Sequence, residues 1–249
     1  MELLISNSHH PAFNLATEDF LFSRCEGEFA FFYSNDPCVV IGSNQVWRNE
    51  VDALFCEENQ IPVFRRISGG GAVYHDRGNL NYSFITHKTE TNTGTSADFL
   101  HPIVEGLSHM GVMAVIGKRK DLWLPDGHKI SGTASHVTMN RVMQHGTLLY
   151  DSNIEMLQGA LNPPRQLSSV KGIPSVPSPV KNIMRYLIEQ SGSRYIGFSG
   201  ARVFFQQLIL EITQEMQLLA GAEFSDDELH TIQSIQSDRY ENDKWNRRK

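Results

Sequence analysis

Long apolar runs are missing from this sequence. No stretch approaches the roughly 18 consecutive apolar residues of a membrane span, so no transmembrane helix is expected. The opening residues, MELLISNSHHPAFNL, lack a basic region followed by an apolar core, so no secretory signal is read there. Cysteine is scarce. Cys25, Cys38 and Cys56 share no metal-ligand spacing and are odd in number, which predicts free thiols in a reducing compartment, the cytoplasm by default. Positive charge is in deficit: 22 Lys and Arg against 28 Asp and Glu give a net charge of −6. That is the wrong sign for a protein that grips nucleic acid through its phosphates.

Several catalytic signatures are also absent. There is no G-x-G-x-x-G for a dinucleotide and no G-x-S-x-G nucleophile elbow. GVMAVIGKR (111–119) has a superficial P-loop look, but its spacing is one residue too long and Arg119 stands where Ser or Thr belongs. Its VMAVI core reads better as a buried strand. His9 and His10 have no acid at ligand spacing, so no metal centre is read from them.

What is present is an ordinary globular composition, 40% hydrophobic over 249 residues, enough to bury a sizeable core. Alternating or apolar runs predict strands at ELLIS, FAFFYS, CVVIG, PVFRRI, AVYHD, LNYSFIT, DLWL, HKIS, TASHVT and VMQHGTLLY. Helical spacing predicts helices at NLATEDFLFSRC with Asn14 as N-cap, at EVDALFCEEN, and around 97–110. A later helix, ARVFFQQLILEITQEMQLL, should bury Val203, Phe204, Leu208, Ile212 and Leu219. Ser225 and Glu228 form a capping box for a last helix, and NDKWNRRK reads as a frayed tail. Residues 162–179 are rich in Pro and Ser and should be irregular. Strand pairs joined by short turns predict an α/β chain of the α+β type, with a mixed sheet flanked by helices. No linker is evident, so residues 1–249 are read as a single domain.

Three stretches carry chemistry. In RRISGGGAVYHDRGNLNYSF (65–84), Gly69, Gly70 and Gly71 let a ligand approach the main chain, and their N–H groups suit an anion. Arg65 and Arg66 point to opposite strand faces, one toward the ligand and the other to solvent or a salt bridge. The bland alternative is a flexible hairpin with surface arginines. In KRKDLWLPDGHKISGTAS (118–135), Lys129 is followed by small residues that clear space. A lysine there can hold a carboxylate and a phosphate together as a point charge, and Asp121 is a nearby acid suited to Mg²⁺. In QHGTLLY, His145 can line a pocket or be a satisfied structural histidine.

Together these three stretches closely resemble the lipoate–protein ligase A family. LLISNSHHPAFNLATEDFLF, VVIGSNQ and KGIPSV (171–176) match it too, so the resemblance covers essentially the whole chain. It implies the catalytic fold shared with biotin protein ligases and class II aminoacyl-tRNA synthetases. It also implies a two-step reaction: lipoate and ATP give lipoyl-AMP, and the lipoyl group passes to a lysine of an E2 lipoyl domain or the glycine-cleavage H protein. By resemblance, Arg66 and the backbone of Gly71, Ala72, Val73 and Tyr74 hold the adenylate, and Ser68, Gly69 and Gly70 shape the loop over it. Lys129 contacts the lipoyl carbonyl and α-phosphate, Asp121 contacts Mg²⁺, and His145 lines the pocket.

The chain departs from the pattern at Lys120, where the family usually has Asn, and at Gln144, His136, Pro177 and Pro179. The small C-terminal domain of many ligases is expected to be absent, which raises two options: a separate accessory subunit, or a lipoyltransferase that takes lipoyl-AMP or a lipoylated protein without using ATP. A non-catalytic binding module would tolerate loss of Lys129. The basic clusters 118–120 and 247–249 are candidate contacts for an acidic acceptor domain.

Overall fold

The computed structural model describes residues 1–163, 172–191 and 198–248. Its strands are β1 (Glu2–Ile5), β2 (Phe29–Tyr33), β3 (Cys38–Ile41), β4 (Val63–Arg65), β5 (Val73–His75), β6 (Asn79–His87), β7 (Val115–Ile116), β8 (Leu122–Trp123), β9 (Lys129–Ser131), β10 (Thr133–Val137), β11 (Arg141–Leu149) and β12 (Leu219–Ala220). Its helices are α1 (Pro11–Ser23), α2 (Ala53–Glu58), α3 (His101–His109), α4 (Ile154–Ala160), α5 (Ile183–Ser191), α6 (Ala201–Met216), α7 (Asp226–Ile235) and α8 (Asp243–Asn246).

Among the described residues the main sheet runs β10-β11-β6-β2-β1-β12. It is antiparallel from β10 to β2 and parallel from β2 to β12, a mixed sheet as expected. Two small sheets, β4-β3-β5 and β7-β8-β9, flank it.

Period-two alternation sorts the side chains of β6. Leu80, Tyr82 and Phe84 enter a core with residues of α3, α5 and α6. Ile85 faces the other way, into a second core with α1 and α7. β11 follows the same rule. Leu148 joins the first core and Met143 the second. His145, two residues beyond Met143, pairs across the strand with Ser83. The polar members of that second face, Asn81, Ser83 and His145, leave a gap in the apolar packing, and the site is built there.

Four sequence expectations give way. The α1 cap is His10, whose Nδ1 accepts from the Phe13 N–H, and Asn14 lies inside the helix, where its amide donates to Ser8 and Asn35. The helix starts earlier because Pro11 suits its first turn. The α6 core face is Phe204, Phe205, Leu208, Ile209 and Ile212, while Val203 and Leu219 are exposed. VMAVI is not a buried strand: Val112 and Ala114 turn inward, and Met113 and Val115 are exposed. The described part of the tail NDKWNRRK, residues 242–248, is docked rather than frayed, with α8 packed on β4, and Lys249 lies outside the described residues.

Candidate active site

The loop between β4 and β5 is held from below by Arg66. Its guanidinium donates to the carbonyls of Val40 (3.1 Å), Gly69 (2.6 Å) and Gly71 (2.8 Å) and to Ser68 Oγ (2.9 Å). This use of the fork commits most of its N–H groups to the protein itself. Burial lowers the Arg66 pKa to about 10, so the side chain stays charged at neutral pH. Arg65 is fully buried as well. The idea that one of the pair faces solvent therefore fails, as does the hairpin with surface arginines. Main-chain carbonyls solvate both charges.

Gly70 has φ of 85°, in the left-handed region that favours glycine. The carbonyl of Gly70 packs so closely on Gly42 that a Cβ there would lie 2.2 Å from it. The backbone of the loop is thus nested between Gly42 and Arg66.

A buried chain of polar side chains continues from Arg66. Ser68 Oγ lies 2.7 Å from His145 Nε2, and His145 Nδ1 lies 2.9 Å from Glu18 Oε1 on α1. With the carboxylate as acceptor, Nδ1 carries a hydrogen; in the neutral ring Nε2 accepts from the Ser68 hydroxyl. Ser68 is fully enclosed, so the arrangement fixes the loop and offers no exposed nucleophile.

Two cavities flank the loop. The first, about 310 Å³, lies between α1, β3, β6 and β11 and includes Leu15, Tyr33, Val40, His75 and Asn81 in its wall. The second, about 530 Å³, is bounded by Tyr74, Leu149, Leu157 and Leu161. Lys129, Gly132, Thr147, Ala72 and Val73 line both, so the two spaces meet at Lys129.

The backbone of Lys129 is pinned on two sides. It pairs with Trp123 of β8, and its N–H donates to the Pro179 carbonyl (2.8 Å). Its ammonium lies 3.3 Å from Asp121 Oδ2, and Arg119 lies 3.4 Å from the same oxygen. Burial pulls the Lys129 pKa down, and the charge of Asp121 partly restores it. Burial acts to raise the Asp121 pKa, but the Trp123 hydrogen bond and Lys129 outweigh it, and the net shift is downward.

The sequence-predicted residues divide accordingly. Arg66, Gly70, Gly71, Asp121 and His145 line the first cavity, Tyr74 the second, and Ala72, Val73 and Lys129 both. Ser68 and Gly69 line neither and act through the loop. The Ala72 N–H already donates to Ser175 Oγ (2.9 Å).

Other site residues carried no assigned role in the sequence reading. Glu18 sat in an amphipathic helix with no chemical neighbour in sequence. His75 and Asn81 line the first cavity, and burial, with Arg66 and His145 nearby, holds the His75 pKa at about 3. Ile173, Pro174, Ser175 and Val176 line both cavities or the first and belong to KGIPSV, whose first residue, Lys171, lies outside the described residues. Cys25, Cys38 and Cys56 are free thiols, and none lines either cavity.

The family model for the lipoyl protein ligase A/B catalytic domain matches residues 10–193, which carry both cavities' loop and lysine. The chain belongs to this family. Among relatives, the lipoate-protein ligase LplJ of Bacillus subtilis is 36% identical over 96% of this chain and 71% of its own length. Lipoate–protein ligase 1 of Staphylococcus aureus is 34% identical over 97% of this chain and 72% of its own. Protein Ta0514 of T. acidophilum with bound lipoic acid superposes with a TM-score of 0.80, at 21% identity, over 99% of this chain and 98% of that one. The bi-partite lipoate protein ligase of Thermoplasma acidophilum, from a study that includes its E2 lipoyl domain, gives 0.78 at 22% identity over 99% and 95%. A lipoate-protein ligase A bound with ATP gives 0.75 at 22% identity over 99% and 98%. At these identities the superpositions speak for the fold, a mixed sheet flanked by helices. Among the described residues, no helix is long and apolar enough to cross a membrane.

Proposed function

We propose that this chain is a lipoate–protein ligase that forms lipoyl-AMP from lipoate and ATP and transfers the lipoyl group to an acceptor lysine. The observation that carries the reading is the position of Lys129, a half-buried ammonium where two cavities meet beside the glycine loop. The smaller cavity, with Leu15, Tyr33 and Val40 in its wall, suits the acyl chain and dithiolane. The larger, walled by Leu149, Leu157 and Leu161, suits the nucleotide. Structural relatives with bound lipoic acid and with bound ATP support both ligands, though not which cavity takes which.

In the first step a carboxylate oxygen of lipoate forms a bond to the α-phosphorus as pyrophosphate leaves. Two anions must approach, and Lys129 supplies the fixed positive charge between them. In the second step the acceptor amine attacks the lipoyl carbonyl carbon. The carbonyl–phosphate oxygen bond breaks, AMP leaves, and the amine loses a proton. Negative charge grows on the carbonyl oxygen and then on the leaving phosphate, and the same ammonium can stabilise both. Arg66 and the Ser68–His145–Glu18 chain hold the loop so that its backbone needs no rearrangement during reaction.

Two carboxylates lie at the cavity walls: Asp121 in the first, the candidate for Mg²⁺, and Glu50 in the second, which already accepts from the Ser175 N–H (3.0 Å). No group of three or more acidic, His or Cys side chains gathers as a metal site among the described residues. That donor set fits an ion carried in on phosphates, since Mg²⁺ usually keeps waters and takes only one or two carboxylates beside the nucleotide. Asp121 would hold it there, and the ion would offset phosphate charge.

The acceptors suited to this chemistry are apo lipoyl domains of E2 subunits or the H protein, with a separate accessory subunit as a further partner and a cytoplasmic setting. Lipoate-dependent exchange of labelled pyrophosphate into ATP tests the activation step. The wild-type chain should catalyse it, and a chain that binds lipoate and ATP without exchange would count against activation.

A further inference from the structure

The docked tail reaches the loop through Arg65. Trp245 Nε1 donates to the Arg65 carbonyl (2.7 Å), and the Arg65 N–H donates to Asn246 Oδ1 (3.0 Å). The Arg65 guanidinium returns two bonds to the tail, to the carbonyls of Trp245 (3.1 Å) and Arg248 (2.7 Å). Asn246 is itself buried and donates to the Tyr240 carbonyl (2.7 Å). Arg248 closes over the Trp245 ring at 3.8 Å.

The other end of the same guanidinium grips the turn after β3. Nη1 donates to the carbonyls of Gly42 (3.0 Å) and Gln45 (2.8 Å). That turn touches the catalytic loop directly. The Ser43 N–H donates to the Ser68 carbonyl (2.8 Å), and Gly42 lies against the Gly70 carbonyl. Gln45 Nε2 goes on to Ser175 Oγ (3.0 Å) at the cavity wall. Arg65, Trp245 and Asn246 line neither cavity, and no carboxylate pairs with Arg65 among the described residues. A fully buried charge satisfied only by carbonyls on two segments ties those segments together.

We propose that Arg65, locked by Trp245 and Asn246, is a positioning residue that transmits the docking of the C-terminal helix to the glycine loop and so sets the affinity of the site for acyl-adenylate. The inference rests on the ligase reading for its ligand, but the coupling of tail to loop is testable without any ligand.

The first readout is amide hydrogen exchange across residues 68–72 in wild type, Trp245→Phe and Asn246→Ala. Trp245→Phe keeps a smaller aromatic ring under Arg248 and deletes the Nε1 hydrogen bond. Lys244→Ala, on the exposed side of the same helix, serves as the control. Exchange in the loop should rise about tenfold in both variants and stay unchanged in the control, for an opening made easier by the loss of one or two buried bonds. The second readout is the Kd of a non-hydrolysable lipoyl-sulfamoyl adenosine, with KM and kcat for lipoate and ATP. Kd and KM should rise about five- to tenfold, with kcat at saturation changed less than twofold. Unchanged loop exchange in Trp245→Phe would overturn the proposal, whatever Asn246→Ala does, including failure to fold. Faster exchange with unchanged Kd would overturn the link to affinity. Failure of the wild-type chain to bind the analogue would instead count against the ligase reading.

Discussion

The ammonium of Lys129 lies 3.3 Å from the buried carboxylate of Asp121, and both line the same cavity. The pair opposes burial. Burial pulls the Lys129 pKa down, and Asp121 acts in the opposite direction. Lys129→Ala should therefore remove the ammonium at the meeting point of the cavities. A fall of about 10²–10³-fold in lipoyl transfer is expected, the scale of losing one preorganised electrostatic group. Single-turnover transfer from lipoyl-AMP measures it, and a circular-dichroism melt checks that the fold survives.

Asp121→Asn tests the same pair by pH. Activity that needs charged Lys129 is present below its pKa and lost as pH rises through it. Deleting the carboxylate lowers that pKa further, since Asp121 acts to raise it. The alkaline limb of kcat/KM should move to lower pH. A limb that stays in place, or moves up, would separate Lys129 titration from the reaction.

Gly42→Ala probes the nesting of the loop. A Cβ at Gly42 would come within 2.2 Å of the Gly70 carbonyl, which is backbone and can yield only by moving the loop. Lipoyl-AMP affinity should fall at least about tenfold, near 1.4 kcal/mol. Gly69→Ala is the contrast. Nothing lies within 4 Å of its added Cβ, so the change should fall within about 0.5 kcal/mol. Calorimetric titration of both variants separates a packed glycine from a merely adjacent one.

How far the sequence foretold these features depends on the range of the interaction. Local patterns predicted the alternating strands β6 and β11, the Ser225–Glu228 capping box and the small residues after Lys129, and the structure contains all of them. The family resemblance brought Arg66, Lys129 and the glycine loop into one site. Partners set by tertiary contact were not legible. Glu18 meets His145 across 127 positions, and Arg65 meets Asn246 across 181. No periodicity marks such pairs. The tail looked frayed because it is polar and basic, yet Trp245 Nε1 and Asn246 Oδ1 both bond the Arg65 backbone.

Glu18 and His145 form a buried pair, and cutting it should cost stability. Glu18→Ala leaves His145 Nδ1 without its acceptor. Leaving a buried donor unsatisfied typically costs about 1–3 kcal/mol. Urea unfolding should show a lower midpoint with little change in slope. Glu18→Gln, which keeps size and an acceptor oxygen, should lose less than Glu18→Ala.

Lys120 departs from the family pattern, and its backbone shows the consequence. It has φ of 60°, left-handed, in the turn where its N–H donates to the Gly117 carbonyl. Asn tolerates that region better than Lys because its short polar side chain bonds locally. Lys120→Asn should raise stability by up to about 1 kcal/mol, with lipoyl transfer retained. Differential scanning calorimetry beside a transfer assay checks both halves.

The most direct test of the ligase reading is the intact mass of an apo lipoyl domain incubated with the purified chain. One tube holds lipoate, ATP and Mg²⁺, and a second holds synthetic lipoyl-AMP alone. The account predicts one lipoyl mass increment on the acceptor in both tubes, and a gain about 10²–10³-fold slower in both with Lys129→Ala. Gain only from lipoyl-AMP would contradict activation by this chain and leave a transferase. No gain in either tube, repeated with apo H protein, would contradict the ligase reading itself.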